Sequence, residues 1–173
     1  MGNPIWEVVQ FRKKRTDEDI FKILKNVPTF SELNSKELSE VEKIIHRREY
    51  KKGEPIFRMG DPGLGMYIII TGSVNIIEER EGESATTLAV LKDGAFFGDL
   101  ALLDESPRSA SVIAGENSEI LGFFRPDFLD LLYRKPRLGI KILFSLSKVI
   151  GERLRRTNEQ LSALKANEGY TNG

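Results

Sequence analysis

The sequence predicts an α+β fold: an antiparallel β-roll, of the double-stranded β-helix or jelly-roll kind, flanked by N-terminal helices and a long C-terminal helix. Two observations predict it. Between Arg48 and Gly94, short apolar runs alternate with glycines at short, fairly even intervals, which is typical of strands joined by tight turns. From Pro136 to about Ala166 no residue has to end a helix, although Gly139 and Gly151 weaken it.

The composition excludes several classes of protein. The 173 residues carry no net charge, whereas nucleic-acid binders usually have a basic surplus. There is no Cys, which rules out disulfides and thiolate metal sites. No apolar run approaches the ~20 residues that span a bilayer. We therefore expect a cytoplasmic protein with neither membrane nor DNA as a partner.

Four regions are predicted along the chain. Residues 1–29 form an N-terminal extension with one helix, which starts near Thr16 and stops at Pro28. Residues 30–134 form the β-roll, residues 135–166 the long helix, and residues 167–173 a frayed tail. A further short helix opens at Asn34 and Ser35, and its predicted apolar face consists of Leu38, Val41 and Ile45.

The end of the predicted roll has its own signals. Met66–Ile70 is apolar on both faces and suits a central strand. A last β segment covers Ser111–Phe124. The run Arg125-Pro126-Asp127 then opens a helix, because proline is favoured in a first turn.

The long helix carries a heptad pattern with Ile140 at position a. Six of the eight a and d positions are apolar. The series is Ile140, Leu143, Ser147, Ile150, Leu154, Thr157, Leu161 and Leu164. Such a narrow stripe suits the seam of a homodimer. Packing on the chain's own domain is the alternative, and it is expected for the first half of the helix.

Residues 94–112 contain the strongest candidate for a binding site. Gly98 allows the backbone to turn sharply and approach a ligand, and residues 99–103 can form a short helix whose first N–H groups are free. Arg108 is the only cation in this stretch, and a guanidinium fork suits a phosphate. The alternative is a plain turn with Asp99 as an N-cap and Arg108 paired with Asp104 or Glu105. Spacing alone does not decide between the two.

This segment resembles the phosphate-binding cassette of the cyclic-nucleotide-binding domain family, whose pattern is roughly Phe-Gly-Glu-Leu-Ala-Leu followed by Pro-Arg-small-Ala-x-Val. The resemblance extends to the glycine-punctuated strands and covers about residues 30 to 165. The matching cassette positions are Phe97, Gly98, Leu100, Ala101, Leu102, Pro107, Arg108, Ser109, Ala110 and Val112.

The resemblance implies a role for each cassette residue. Arg108 would pair with the cyclic phosphate, Ser109 would donate to it, and the N–H groups of Leu100 and Ala101 would add to it. Asp99 stands where the family usually has Glu, which accepts from the ribose 2′-OH. From residue size alone, Ser109 and Ala110 leave room for the ligand, and Gly98 lets the backbone approach it. Ile76 and Leu91 could line the pocket, but we interpret them as core.

The long helix resembles the dimer helix of the catabolite activator branch of the family. There, a polar pair touches the adenine, one residue from each subunit. Thr157 and Asn158 are the matching residues here. Because Ser109 follows the cassette arginine where cGMP-preferring members often have Thr, the resemblance implies cAMP as the ligand, with cGMP possible.

The predicted function is that of a sensor, not an enzyme, which binds a cyclic nucleotide and passes occupancy through its C-terminal helix to an effector protein. No cofactor, catalytic group or metal site is predicted, because the single His46 is expected alone at a helix end. Because few residues follow Ala166, we expect no helix-turn-helix. Two alternatives stay open: a ligand-free scaffold or oligomerisation module, and a sensory fragment of a larger regulator.

Overall fold

The computed structural model describes residues 20–79 and 84–169, with side chains up to residue 166. The predicted helix start near Thr16 and the end of the predicted tail lie outside this range. The elements are α1 (residues 20–26), α2 (Ser35–Glu42), β1 (Ile45–Tyr50), β2 (Pro55–Phe57), β3 (Gly65–Thr71), β4 (Ser73–Glu78), β5 (Thr86–Lys92), β6 (Phe96–Phe97), a 3-10 helix (Asp99–Leu102), β7 (Ser111–Ala114), β8 (Ser118–Phe124), α3 (Arg125–Arg134) and α4 (Pro136–Gly169).

The strands form two four-stranded sheets, in the orders β1-β8-β3-β6 and β2-β7-β4-β5, and every described pairing is antiparallel. This confirms the predicted α+β fold with an antiparallel β-roll. The predicted last β segment is two strands, β7 and β8, which lie in different sheets.

Strand β3 is the central strand that its two apolar faces predict. Successive side chains of a strand point to opposite faces. Met66 and Ile68 pack in the core that the first sheet shares with the helices, and Tyr67 and Ile69 pack in the core between the two sheets. Burial on both faces explains why no polar residue interrupts this run.

Helix α2 begins where the sequence predicts and ends earlier. The Asn34 side chain accepts from the backbone N–H groups of Lys36 and Glu37, while Glu37 accepts from the Asn34 N–H, a complete capping box. The prediction that Ile45 continues this helix face is wrong, because Ile45 begins β1 and pairs with Phe123. His46, expected at a helix end, is therefore on a strand, 2.9 Å from Asp127.

Helix α4 is buried along one face of its first half only. Leu138, Ile142, Leu146 and Val149 are buried, whereas residues 152–166 are all exposed. The helix continues to Gly169, three residues into the predicted tail.

The two glycines of α4 differ in what surrounds them. A Cβ on Gly139 would lie 2.5 Å from a Leu132 methyl group, so close packing against α3 requires glycine there. A Cβ on Gly151 would meet nothing closer than 3.7 Å. Packing therefore explains the first glycine and does not explain the second.

An ion-pair ladder ties Lys135 and the first half of α4 to the segment around α2. Its three rungs are Lys148–Glu32 at 2.6 Å, Lys141–Glu37 at 2.6 Å and Lys135–Glu40 at 2.5 Å. Glu40 also pairs with Lys43 at 2.8 Å. Hydrogen bonds from Lys135 and Lys43 lower the pKa of Glu40 from 4.5 to about 2.

The ladder makes stability depend on pH in a defined window. Because the folded state lowers the pKa of Glu40, its contribution is fully present above about pH 4.5 and is lost as the pH falls towards 2. We expect Glu40→Gln to lower the melting temperature at neutral pH and to converge with wild type near pH 2, in thermal unfolding at low salt.

The matched control is Glu116→Gln, which changes an exposed glutamate that forms no ion pair within the described residues. This variant should follow the wild-type melting curve at every pH. A destabilisation by Glu40→Gln that stays constant down to pH 2 would contradict the assignment to the ion pair.

Candidate functional site

A cavity of about 410 Å³ lies between the cassette and the second sheet. This volume lies within the range of small-ligand sites. Seven of the nine predicted site residues line it: Gly98, Asp99, Leu100, Ala101, Arg108, Ser109 and Ala110. Its apolar wall comes from four residues on separate strands, Phe57, Ile76, Phe97 and Val112.

Gly98 is required at its position for two reasons. Its φ of 72° lies in the left-handed region, which disfavours residues with a Cβ. A Cβ there would lie 2.8 Å from Nη1 of Arg108. The sequence predicted that the backbone at this glycine approaches a ligand; in the structure it approaches the Arg108 guanidinium.

Arg108 is a buried cation held by neutral groups. The whole residue is only 7% exposed. Its guanidinium donates from Nη2 to the Gly65 carbonyl at 2.7 Å and from Nη1 to the Gly98 carbonyl at 3.3 Å. The guanidinium lies over the Phe57 ring, 4.1 Å from its centroid. Within the described residues Nε has no partner.

The expected alternative partners of Arg108 are engaged elsewhere. Asp104 accepts hydrogen bonds from Ser106, and Glu105 pairs with Arg125 at 2.7 Å. Burial lowers the pKa of Arg108, opposed by Tyr67 and Asp61, and an arginine stays protonated through such a shift. Since buried charges are normally paired, a buried guanidinium without a described ion pair is a site for an anion.

Asp99 is not the N-cap that the alternative interpretation expects, because Gly98 occupies that position and Asp99 is the first residue of the 3-10 helix. It is 2% exposed, and its two oxygens accept from Nη1 of Arg153 at 2.6 and 2.9 Å. Arg153 lies on α4, and its guanidinium is also 4.8 Å from the centroid of the Phe96 ring. Although Arg153 is exposed, these contacts tie it to the cassette and to β6.

Some predicted roles in the cassette need correction. The predicted short helix is a 3-10 helix of four residues. The Ala101 N–H donates to the Gly98 carbonyl at 3.2 Å, so this amide is already engaged. Ile76 lines the cavity, whereas Leu91 packs against the core between the sheets, as interpreted.

Thr157 and Asn158 are not brought to the cavity by this chain. Both are exposed on α4, beyond the point where its burial ends, and neither lines the cavity. The Thr157 hydroxyl donates to the Arg153 carbonyl at 3.0 Å. Sequence reasoning missed Arg153, although its position one turn before Thr157 was a usable signal.

Fold and cavity together define a class of protein: a β-roll that binds a small anionic ligand beside a long C-terminal helix. The family model described as "Cyclic nucleotide-binding domain" matches residues 47–135. The chain belongs to this family, whose members are regulatory ligand-binding domains, and the resemblance drawn from the cassette is confirmed.

Individual relatives agree with this membership. The "Cyclic AMP receptor protein" of Thermus thermophilus is 36% identical over 84% of this chain and 65% of its own length. A solved cyclic nucleotide-binding domain from Methylobacillus flagellatus has a TM-score of 0.73 at 26% identity, over 86% of this chain and 84% of that one. The regulatory domain of Toxoplasma gondii PKA, solved with cAMP, has a TM-score of 0.62 at 28% identity, over 66% of this chain and 44% of that one.

The chain thus spans less than two thirds of the length of the receptor protein. Among the described helices, none combines the length and the apolarity that crossing a bilayer demands.

The two constraints on Gly98 can be separated by experiment. Gly98→Ala should lose about 1 kcal/mol of unfolding free energy from its backbone conformation and, in addition, displace Arg108 and weaken binding of the cyclic nucleotide. Chemical denaturation and titration calorimetry measure the two effects.

Gly94→Ala is the matched control, because Gly94 also has a positive φ, 78°, but nothing lies within 4 Å of its added Cβ. It should lose similar stability and bind normally. Equal binding losses in both variants would show that the Gly98 effect is only backbone strain.

Proposed function

We propose that this chain is a cAMP sensor in which Arg108 binds the cyclic phosphate and the cassette passes occupancy to helix α4. The observation that carries the proposal is the buried guanidinium of Arg108, which lines the cavity without a described ion pair. A cyclic phosphate carries a single negative charge, which would pair with this guanidinium. A fork of N–H donors also matches two phosphate oxygens.

The other cavity residues supply the remaining contacts of the proposal. The Ser109 hydroxyl donates to the phosphate, and Asp99 accepts from the ribose 2′-OH. The apolar wall takes the flat face of the base. In this assignment the charged, polar and apolar parts of the ligand each meet a matching part of the cavity.

The proposal of cAMP over cGMP is supported by two points. The relatives include a protein named a cyclic AMP receptor and a regulatory domain solved with cAMP. Ser109 stands in this cassette where cGMP-preferring members often carry Thr. No cofactor and no catalysed reaction belong to the proposal.

Transmission to α4 is proposed to run through Asp99 and Arg153. The Arg153 guanidinium is already bonded to both Asp99 oxygens. A ribose hydroxyl that bonds to Asp99 competes with Arg153. Ligand binding therefore weakens the contact between Asp99 of the cassette and Arg153 of α4. The ladder fixes the first half of the helix, which leaves the exposed half after Gly151 free to respond by a population shift.

The exposed half of α4 is proposed to form a homodimer. Leu154, Leu161 and Leu164 are exposed at heptad spacing and need a partner surface to be buried. In such a dimer Thr157 and Asn158 would contact the ligand, one residue from each chain. The output would go to an effector protein and not to DNA.

Titration calorimetry with cAMP, and with cGMP in parallel, tests the ligand. We expect wild type to bind cAMP at micromolar concentration or tighter. Arg108→Ala should lose about 2–5 kcal/mol of binding free energy, since it removes the charged partner proposed for the phosphate. Arg58→Ala is the control, because it removes an exposed arginine nearby and should bind normally.

Three outcomes would overturn parts of this proposal. Unchanged binding by Arg108→Ala would show that the phosphate lies elsewhere. A clear preference for cGMP would replace the assigned ligand. No heat and no thermal shift up to millimolar nucleotide would leave the ligand-free scaffold as the better account.

Arg153→Met tests the transmission step, because it keeps the length of the side chain and removes its charge. We expect wild type to change hydrogen exchange in residues 152–166 of α4 when cAMP is added, and the variant to bind cAMP without that change.

The control is Arg155→Met, an exposed arginine on the same helix with no ion pair in the described part of the chain. It should respond as wild type does. A full response by Arg153→Met would sink the proposed route.

A further inference from the structure

We infer that Phe57 is a positioning residue for the ligand: its ring face holds the Arg108 guanidinium ready for phosphate, in the place where a carboxylate would otherwise hold it. This inference rests on the proposed function of the cavity. Phe57 is half-buried, lines the cavity and lies under the guanidinium at 4.1 Å from the ring centroid.

The Phe57 ring is itself held in place by other aromatic rings. It lies on β2, opposite Val112 of β7. Its centroid is 5.6 Å from that of Tyr67 and 5.9 Å from that of Phe97, and the last two rings stack on each other at 5.4 Å. A ring fixed on several sides gives the guanidinium a fixed plane to lie on.

A ring face and a carboxylate would hold the cation with opposite consequences. A carboxylate would neutralise the charge and occupy the N–H donors that phosphate needs. A ring attracts the cation through its quadrupole and takes none of the donors. The two carbonyl bonds of Arg108 are also to neutral acceptors, those of Gly65 and Gly98. The described contacts thus fix the guanidinium without cancelling its charge.

The chain offers a matched set of variants. Phe57→Leu keeps an apolar side chain on β2 and removes the π face, whereas Phe57→Tyr retains it. Phe97→Leu makes the same change in a second aromatic residue that lines the cavity but forms no cation–π contact with Arg108.

Titration calorimetry with cAMP is the first measurement. We expect Phe57→Leu to weaken binding about ten-fold, the equivalent of a desolvated cation–π contact. Phe57→Tyr keeps the π face and should stay within about two-fold of wild type. A loss in the leucine variant together with normal binding in the tyrosine variant is a pattern that a merely space-filling role would not predict. Wild-type affinity in Phe57→Leu, or an equal loss in Phe97→Leu, would overturn the inference.

A second measurement needs no ligand. Denaturation midpoints of Phe57→Leu, Arg108→Gln and the double variant form a thermodynamic cycle. If the ring holds the guanidinium, the double variant should lose less than the sum of the single losses; additive losses would overturn the contact. Failure of wild type to bind any cyclic nucleotide would refute the proposed function, while this cycle would still decide the contact.

Discussion

The buried charge of Arg108 is the constraint on which the rest of the site depends. Removing a charge from water costs several kcal/mol unless it is compensated, and proteins usually compensate it with an opposite charge. Here the described contacts are two carbonyls and two aromatic rings, Phe57 at 4.1 Å and Tyr67 at 5.7 Å from the guanidinium carbon to the ring centroid. Gly98 must be glycine so that its carbonyl can approach the guanidinium. Within the described residues the fold thus maintains a charge without an ion pair, which is the feature behind the proposed phosphate site.

Helix α4 is divided into two parts that are attached to the fold in different ways. Apolar burial and the ion-pair ladder hold the first part to the helical side of the fold. In the second part, the bond from Arg153 to Asp99 is the contact that reaches the cavity. Gly151 stands between the two attachments and weakens the helix there by ~1 kcal/mol without a packing reason. A ligand that engages Asp99 therefore acts at the less firmly held end.

Local rules explain what the sequence predicted well. The α+β class, the central strand Met66–Ile70, the cap at Asn34 and the helix openings at Arg125 and Pro136 all depend on neighbours a few residues away. The cassette from Gly98 to Ala110 is likewise one continuous stretch, so its seven predicted residues line one cavity.

By itself, then, the sequence determined the order of elements and the contiguous part of the site, because periodicity, turns and caps are local. Only the tertiary structure decided the contacts between distant segments. Ile45 stands at helical spacing from Val41 but lies on strand β1, since pairing with Phe123 overrides a weak local preference. Arg153 reaches Asp99 across 54 residues, and Phe57 meets Arg108 because β2 pairs with β7. No local pattern encodes such neighbours, since the folded sheets bring them together.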